Sequence, residues 1–189
     1  MIVVGICGSP RKKGNTDILL DEALKGAASG GVKTEKIVLN DLKFSPCQEC
    51  GVTNDDGTCK VKDDFQSVYG KIKDADALIL AAPIFFGSLS AQTKMMIDRF
   101  QCLWKAKYIL KKAVFSKKKK GAFLCVEASK RAAFLENARS IVRNLFATVN
   151  AEYSEELLVP GVDEKGKILE FPDTLNAASE LGKKLVFLK

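Results

Sequence analysis

The segment that follows the first apolar run of the sequence combines residue types that bind a phosphate group. It reads G-S-P-R-K-K-G-N-T from Gly8 to Thr16 and continues directly into a helical pattern. Hydroxyl and amide donors, a guanidinium and the free N–H groups of a helix start all favour an anion. The candidate phosphate ligands are Ser9, Arg11, Asn15 and Thr16. The alternative is that these side chains only cap the helix.

The spacing of this segment excludes several kinds of phosphate site. The dinucleotide pattern G-x-G-x-x-G is absent, and a Walker loop would need lysine where Asn15 follows Gly14. A small phosphatase would place Cys7 at the strand end, but its C-x5-R spacing would require arginine where Lys13 stands. The segment therefore favours the phosphate of a mononucleotide.

A second segment suits a planar aromatic ligand. P-I-F-F-G-S at positions 83–88 leaves another apolar run and precedes a helical pattern. Apolar and aromatic side chains offer faces for packing, and the glycine frees the backbone N–H groups for a polar ring edge. The candidates here are Pro83, Ile84, Phe85, Phe86, Gly87 and Ser88. The alternative is that both phenylalanines belong to the core.

Short apolar runs alternate with helical periodicity along the chain, which predicts a parallel sheet covered by helices on both faces. The predicted strands lie near positions 2–6, 36–39, 77–83, 122–126 and 156–160. Five strands alternating with helices are typical of the flavodoxin-like three-layer α/β sandwich, with strand order 2-1-3-4-5. We expect one domain over residues 1–189. In sheets of this kind, ligands bind beyond the carboxyl ends of the strands.

Two predicted connections exceed the usual two to six residues of an α/β unit. One, at about 40–62, carries three cysteines. The other, at about 101–120, carries Trp104, Tyr108 and many lysines. We interpret its densest basic run, Lys117 to Lys120, as a solvated turn.

The composition restricts the function further. The formal net charge is +7, but a basic balance without a recognisable nucleic-acid module does not indicate nucleic-acid binding. No apolar stretch is long enough to span a membrane, and the start of the chain lacks a secretory pattern. The six cysteines do not form the pattern of a disulfide-bonded protein. We therefore expect a cytoplasmic protein without nucleic-acid or membrane partners. Histidine is absent, which removes the commonest general base.

The two candidate segments together resemble a known family. The Gly8–Thr16 segment and A-P-I-F-F-G-S-L-S-A-Q-T-K-M-M-I-D-R-F at 82–100 are similar to the paired motifs of the NADPH-dependent FMN reductases and iron–sulfur flavoproteins. The resemblance implies that the first segment holds the FMN phosphate, that residues 83–88 line the isoalloxazine ring, and that the protein forms a homodimer or homotetramer. It also brings Glu127, in a glycine-free third loop, near the ring, where its charge would disfavour the anionic reduced form. We expect Asp98 and Arg99 to form a structural or interface ion pair rather than to take part in the chemistry.

The cysteine loop departs from this family's pattern. Cys47, Cys50 and Cys59 match the first, second and last of the four expected cluster ligands, and Thr53 stands at the position of the third. An iron–sulfur cluster normally takes four thiolates, and zinc would meet the same shortage. Asp55, Asp56 or an external ligand could substitute. A redox-active pair of Cys47 and Cys50, or ordinary thiols, are the other interpretations.

The functional hypothesis is an FMN-binding oxidoreductase. It would pass reducing equivalents from NAD(P)H, or from a protein donor, through FMN to an unidentified small-molecule or protein acceptor. Trp104 and Tyr108 would shape the opening of the flavin site or a contact with a partner. The chemistry would take place on the flavin, so no catalytic side chain is predicted. One alternative is an FMN-binding electron-transfer protein without NAD(P)H turnover, and another is a flavin-free fold.

Overall fold

Five parallel strands form the centre of the molecule. The computed structural model describes residues 1–50, 57–112 and 114–187. The sheet has the order β2-β1-β3-β5-β6, and the short β4 pairs antiparallel with β3. The strands are β1 (Ile2–Cys7), β2 (Lys33–Val38), β3 (Ala77–Phe85), β4 (Ser88–Leu89), β5 (Lys119–Glu127) and β6 (Ala151–Pro160). The predicted flavodoxin-like fold is confirmed, with β4 as an addition.

Helices cover both faces of this sheet. They are α1 (Asn15–Ala28), α2 (Phe65–Asp74), α3 (Ala91–Arg99), α4 (Gln101–Trp104), α5 (Ala132–Thr148) and α6 (Pro172–Phe187). One core cluster joins α1 and α6 to one face of the sheet, and the other joins α2, α3 and α5 to the opposite face. The side chains of β3 and β5 enter both clusters, which is why these strands are almost continuously apolar.

The edge strands differ most from their predicted bounds. β2 begins three residues before the predicted start at position 36, and its first half alternates charged and polar residues. β6 begins at Ala151 rather than at 156, and its first half also alternates in exposure. An edge strand needs only one buried face, so its apolar signal is weaker than that of a central strand.

The connection predicted at about 101–120 is largely structured. It begins with α4 and continues as a π-helical turn over Lys105–Ile109. The basic run interpreted as a solvated turn ends inside β5, where Lys119 is buried. The Lys119 ammonium donates to the Lys117 carbonyl and lies 5.2 Å from the centre of the Phe115 ring, and burial lowers its pKa. Within the described ranges, no helix has the length and apolar character needed to cross a membrane.

Candidate functional site

A cleft of about 210 Å³ opens at the carboxyl ends of the parallel strands, where the fold predicts a ligand site. It brings the two candidate segments together, because β1 and β3 are neighbours in the sheet. The predicted site residues on its walls are Ser9, Arg11, Asn15, Thr16, Pro83, Ile84 and Phe85. The other lining residues, which were not predicted, are Val126, Ala128, Val162 and Asp163.

The Gly8–Thr16 segment leads into a helix start that has no side-chain cap. Gly14 is the N-cap of α1 and makes no side-chain capping hydrogen bond. Ser9 instead accepts the backbone N–H of Arg11 at 3.2 Å, and Asp17 accepts that of Lys13 at 2.8 Å. The first N–H groups of a helix have no intrahelical acceptor, so the α1 terminus favours an anion. The capping interpretation of Ser9, Asn15 and Thr16 therefore finds no support in this geometry.

Asn15 has a structural role that the sequence did not predict. Its side-chain amide donates to the Glu164 carbonyl at 2.8 Å and accepts the Ile168 N–H at 3.2 Å. These two bonds hold the segment after β6 against the start of α1. The Asn15 side chain thus builds one wall of the cleft, and both of its polar atoms are already engaged.

Arg11 also contacts the segment after β6. Its Nη1 donates to the Asp163 carbonyl at 3.0 Å and lies 3.6 Å from the Asp163 carboxylate. Both side chains are more than half exposed, so this pair is weakly held and screened by water. Of the described residues lining the cleft, Arg11 and Asp163 are the charged ones.

A buried hydroxyl pair fixes the exit of β1. Ser90, the N-cap of α3, donates its hydroxyl to the Gly8 carbonyl at 2.6 Å and lies 2.8 Å from the Thr93 hydroxyl. The Gly8 N–H donates to the Ala81 carbonyl of β3 at 2.8 Å. A side chain at position 8 would place its Cβ only 1.8 Å from Thr93 Oγ1, so glycine is required by close approach. The Gly8–Thr16 segment is thereby anchored to β3 and α3.

The predicted ring-binding segment is divided between the cleft and a hairpin turn. Phe85 lies at the cleft wall, whereas Phe86 and Gly87 connect β3 to β4 with φ values of 50° and 76°. Two positive φ values are typical of a type I′ turn. Phe86 is fully exposed, Gly87 packs against Phe134, and neither they nor Ser88 line the cleft. The structure therefore does not bring residues 86–88 to the site.

Glu127 is not among the residues that line the cleft, although its neighbours Val126 and Ala128 are. Its Oε1 accepts the Ser129 hydroxyl and, at 3.2 Å, the Arg131 N–H, which closes the turn before α5. Its buried Oε2 has no hydrogen-bond partner among the described residues. The structure therefore does not bring Glu127 to the cleft wall, where the expected proximity to a flavin ring would place it.

The predicted site residues follow the first, third and fourth predicted strands, so the predictions did not include the residues after β6. All the long strands run parallel, so the exit of β6 reaches the same edge of the sheet. The V-P-G-V-D-E-K-G stretch at 159–166, with two glycines in left-handed conformation, was an available signal.

Cys7, at the end of β1, does not provide a nucleophile. Burial, the largest effect, raises the pKa of its thiol to about 12, so the thiol is neutral near pH 7. This agrees with the exclusion of a phosphatase by spacing.

The cysteines of the long connection lie at a different place from the cleft. Cys47, Cys50 and Cys59 line a small cavity together with Cys102 of α4, which was not predicted as a site residue. Thr53, Asp55 and Asp56 lie outside the described residues. No group of three or more cysteine, aspartate or glutamate side chains in the described part of the chain is arranged to hold a metal ion.

The prediction of an ion pair between Asp98 and Arg99 is wrong. Arg99 pairs with Asp63 at 2.7 Å, and Asp98 pairs with Lys94 at 2.8 Å on the surface of α3. Neighbouring positions on a helix point in different directions, so Arg99 enters the core while Asp98 faces solvent.

Trp104 and Tyr108 form a tilted ring pair with centroids 5.7 Å apart. They belong to α4 and the π-helical turn, and neither lines the cleft. They do not shape the opening within this chain, and a role in a partner contact stays a prediction.

Residues 1–154 match the family described as NADPH-dependent FMN reductase. An iron–sulfur flavoprotein of Methanocaldococcus jannaschii is 46% identical over 99 residues, which are 52% of this chain and 51% of that protein. The chain thus spans about half the length of this relative. An iron–sulfur flavoprotein of Methanosarcina thermophila is 33% identical over 141 residues, which are 75% of this chain and 71% of that protein.

A solved structure shares the fold over nearly its whole length. The NAD(P)H:quinone oxidoreductase from Methanothermobacter marburgensis superposes with a TM-score of 0.78 at 19% identity, covering 98% of this chain and 96% of that one. At this identity the likeness concerns the fold alone.

Proposed function

We propose, from the premise that this chain belongs to the NADPH-dependent FMN reductase family of FMN-dependent oxidoreductases, that the cleft binds FMN and that NAD(P)H reduces it there. One observation carries the proposal. The uncapped start of α1 and the exit of β3 form two walls of the same cleft, so an anion site and an apolar wall lie side by side. A phosphorylated planar ring has matching chemistry.

The residues have distinct roles in this proposal. Ser9, Thr16 and the first N–H groups of α1 would hold the phosphate, since Ser9 and Thr16 are buried at the cleft floor. Arg11 would turn from Asp163 toward the phosphate, because the exposed pair that holds it is weak. Pro83, Ile84 and Phe85 would pack against the ring.

FMN, when bound, would supply the redox chemistry by accepting a hydride from NAD(P)H and passing two electrons to an acceptor. The side chains need only bind and orient the reactants. This agrees with a chain without histidine and with a cleft whose only charged lining residues, among those described, are Arg11 and Asp163.

Anaerobic reduction tests this proposal. FMN-loaded protein is mixed with NADPH or with NADH, and the flavin absorbance is followed by stopped flow. The proposal expects bleaching within seconds by at least one of the two nucleotides. Unchanged absorbance with both, while dithionite bleaches the same sample, would contradict nicotinamide turnover.

A second candidate is an FMN-binding electron-transfer protein that receives electrons from another protein. Four cysteines lie around one cavity, and three of them match cluster positions of the resembled family, which favours this candidate although the described residues are not arranged to hold a metal ion. The relatives named iron–sulfur flavoproteins also support this second candidate. The bleaching experiment separates the two candidates, since this one predicts reduction by dithionite but not by a nicotinamide.

A further inference from the structure

Two of the six cysteines have surroundings different from those of the others. Cys50 is exposed and Cys47 is half-buried, whereas the remaining four are buried: Cys7, Cys59, Cys102 and Cys125. Burial raises the pKa of the Cys7, Cys102 and Cys125 thiols to about 12, which keeps them neutral near pH 7. Neutral, buried thiols are unreactive, so a reagent from solution reaches Cys47 and Cys50 first.

A turn of the backbone brings these two cysteines to one cavity. Glu49 lies between them with a φ of 45°, which is in the left-handed region. Its N–H donates to the Cys47 sulfur at 3.5 Å. Both cysteines line a cavity of about 20 Å³, which is about the space needed for one water molecule. The walls of so small a cavity are close together, so the two cysteines share one confined space.

We propose that Cys47 and Cys50 are a redox-active dithiol that exchanges with a disulfide substrate. Their C-Q-E-C sequence is of the C-x-x-C type, in which two intervening residues allow the thiols to join as one disulfide. Thr53 interrupts the cluster pattern directly after this pair. The activity goes beyond the proposed function of the cleft, because it requires neither FMN nor a nicotinamide.

The exchange proceeds in two steps. The exposed Cys50, as thiolate, attacks one sulfur of the substrate disulfide, forms a mixed disulfide and releases the other substrate sulfur as a thiolate. Cys47 then attacks the Cys50 sulfur, which forms the Cys47–Cys50 disulfide and releases the second substrate thiolate. The two cysteine protons pass through water to the released thiolates. The substrate thus gains two electrons and two protons, and the cysteine pair loses them.

Polar groups beside the pair favour the anionic sulfur that this exchange requires. The Glu49 N–H is one donor to Cys47. Lys105 of the π-helical turn lines the same cavity, where its ammonium pairs with the Glu49 carboxylate. Reactive cysteines are found in partly exposed places with cations and N–H donors nearby, and this description fits Cys47 and Cys50 better than the four buried cysteines.

Thiol trapping on the full chain tests the proposal. Protein as purified is incubated without oxygen in buffers of reduced and oxidised glutathione, blocked with N-ethylmaleimide and digested with trypsin. Residues 44–60 form one tryptic peptide, which contains Cys47, Cys50 and Cys59. As the oxidised fraction of glutathione rises, this peptide should lose two hydrogen atoms and two of its three maleimide groups. Tandem mass spectrometry should place the disulfide between Cys47 and Cys50.

Three results of this experiment would overturn the proposal. The first is a peptide that keeps all its maleimide groups in every buffer. The second is a disulfide that includes Cys59. The third is a pair of cysteines that reacts with neither glutathione nor the maleimide, as thiols held by a metal would.

Single-cysteine variants separate the two steps of the exchange. Cys47→Ser removes the second thiol, so Cys50 should keep one glutathione per chain as a mixed disulfide. Cys50→Ser should take up glutathione at least about five-fold more slowly, because Cys47 is less exposed. Absence of a mixed disulfide in Cys47→Ser would overturn the proposal.

The matched control is Cys59→Ser, which removes the third cysteine of the same peptide. It should form the Cys47–Cys50 disulfide at the same glutathione ratio as the wild type. Loss of the disulfide in a Cys59→Ser protein that is folded by circular dichroism would overturn the assignment. Because Cys59 is buried, the wild-type peptide gives the same assignment if this variant does not fold.

Two kinds of disulfide are compared as the substrate. Glutathione disulfide represents a small molecule, and insulin represents a protein. Oxidation of the pair by either one supports the proposal, and the faster reaction identifies the kind of substrate. Oxidation by neither would overturn it. The assay involves no flavin turnover, so its failure is distinguishable from a failure of the proposed function.

Discussion

Arg99 and Asp63 form a two-point ion pair that joins α3 to the end of the cysteine-bearing connection. Nη1 of Arg99 donates to Asp63 Oδ2 at 2.7 Å and Nη2 donates to Oδ1 at 3.1 Å, across 36 positions of sequence. The same guanidinium donates to the carbonyls of Ser45 and Val61, which lie on either side of the loop cysteines. Arg99 is almost completely buried, so it fixes both ends of the cysteine segment to the core.

Asp63→Asn should therefore destabilise the protein strongly. The substitution leaves the Arg99 charge buried without its counter-ion, and breaking such a pair costs about 3 kcal/mol or more. Urea unfolding measures the free energy. The matched control is Asp98→Asn, which removes the same charge from an exposed pair with Lys94 and should cost no more than about 0.5 kcal/mol. Equal losses in the two variants would contradict the buried pair.

The same pair predicts a dependence of stability on pH. Burial alone would raise the pKa of Asp63, but hydrogen bonds from Arg99 and from the Ser45 N–H outweigh it and leave the pKa below its usual range. A lowered folded-state pKa stabilises the protein fully above the unfolded value of about 3.9, and the contribution disappears as the pH falls through the folded value. The difference in unfolding free energy between the wild type and Asp63→Asn should thus be constant near neutral pH and shrink below about pH 4. A difference that persists unchanged there would contradict this ionisation.

Arg11→Ala should weaken FMN binding by about 10- to 100-fold, the value of one charge-assisted hydrogen bond to phosphate. Fluorescence titration of the apoprotein with FMN measures the change. Lys12→Ala is the control, because it removes the adjacent cation, which pairs with Asp41 outside the cleft. A similar loss in both variants would indicate a general charge effect in place of a specific contact.

Asp163→Asn should have the opposite effect on FMN affinity. The Asp163 carboxylate lines the cleft and lies 3.6 Å from the Arg11 guanidinium. It therefore competes with a phosphate for Arg11, and its negative charge repels the phosphate. We expect a gain of about three-fold or more at low salt, decreasing as salt screens the charges. Unchanged or weaker binding in the variant would show that Arg11 does not change partner.

Phe86→Asn should stabilise the hairpin turn. Phenylalanine at φ 50° is strained, whereas asparagine tolerates this region. We expect its melting temperature to lie about 2–4 °C above that of Phe86→Ala, which corresponds to a difference of roughly 1 kcal/mol in the free energy of unfolding. Both variants should keep FMN affinity within about two-fold, because the ring does not line the cleft. A large loss of FMN affinity in both variants would show that Phe86 contributes to the flavin site and would contradict this expectation.

The sequence predicted those features that depend on local pattern. The apolar runs of β3 and β5 are long enough to specify buried parallel strands, and strand order follows from the α/β alternation. The helix start after Gly14 and the wall formed by Pro83 to Phe85 follow from segments whose residue types match their backbone roles.

Features that depend on tertiary contact were not predictable in the same way. Asn15 has the residue type of a phosphate ligand but binds the segment after β6, and Arg99 pairs with a residue 36 positions away instead of its neighbour. Cys102 stands alone in a helical stretch, and only the packing of α4 brings it beside the loop cysteines. Phe86 has the right chemistry for a ring contact, but the turn geometry directs it outward.

Titration of the apoprotein with FMN and, in parallel, with riboflavin tests the central claim most directly, because the two ligands differ only in the phosphate. If the start of α1 holds that phosphate, one FMN should bind per chain, at least about 100-fold more tightly than riboflavin. Riboflavin has no phosphate, so several charge-assisted hydrogen bonds are lost when it binds. Equal affinities, or no saturable binding of FMN, would contradict the assignment of the cleft.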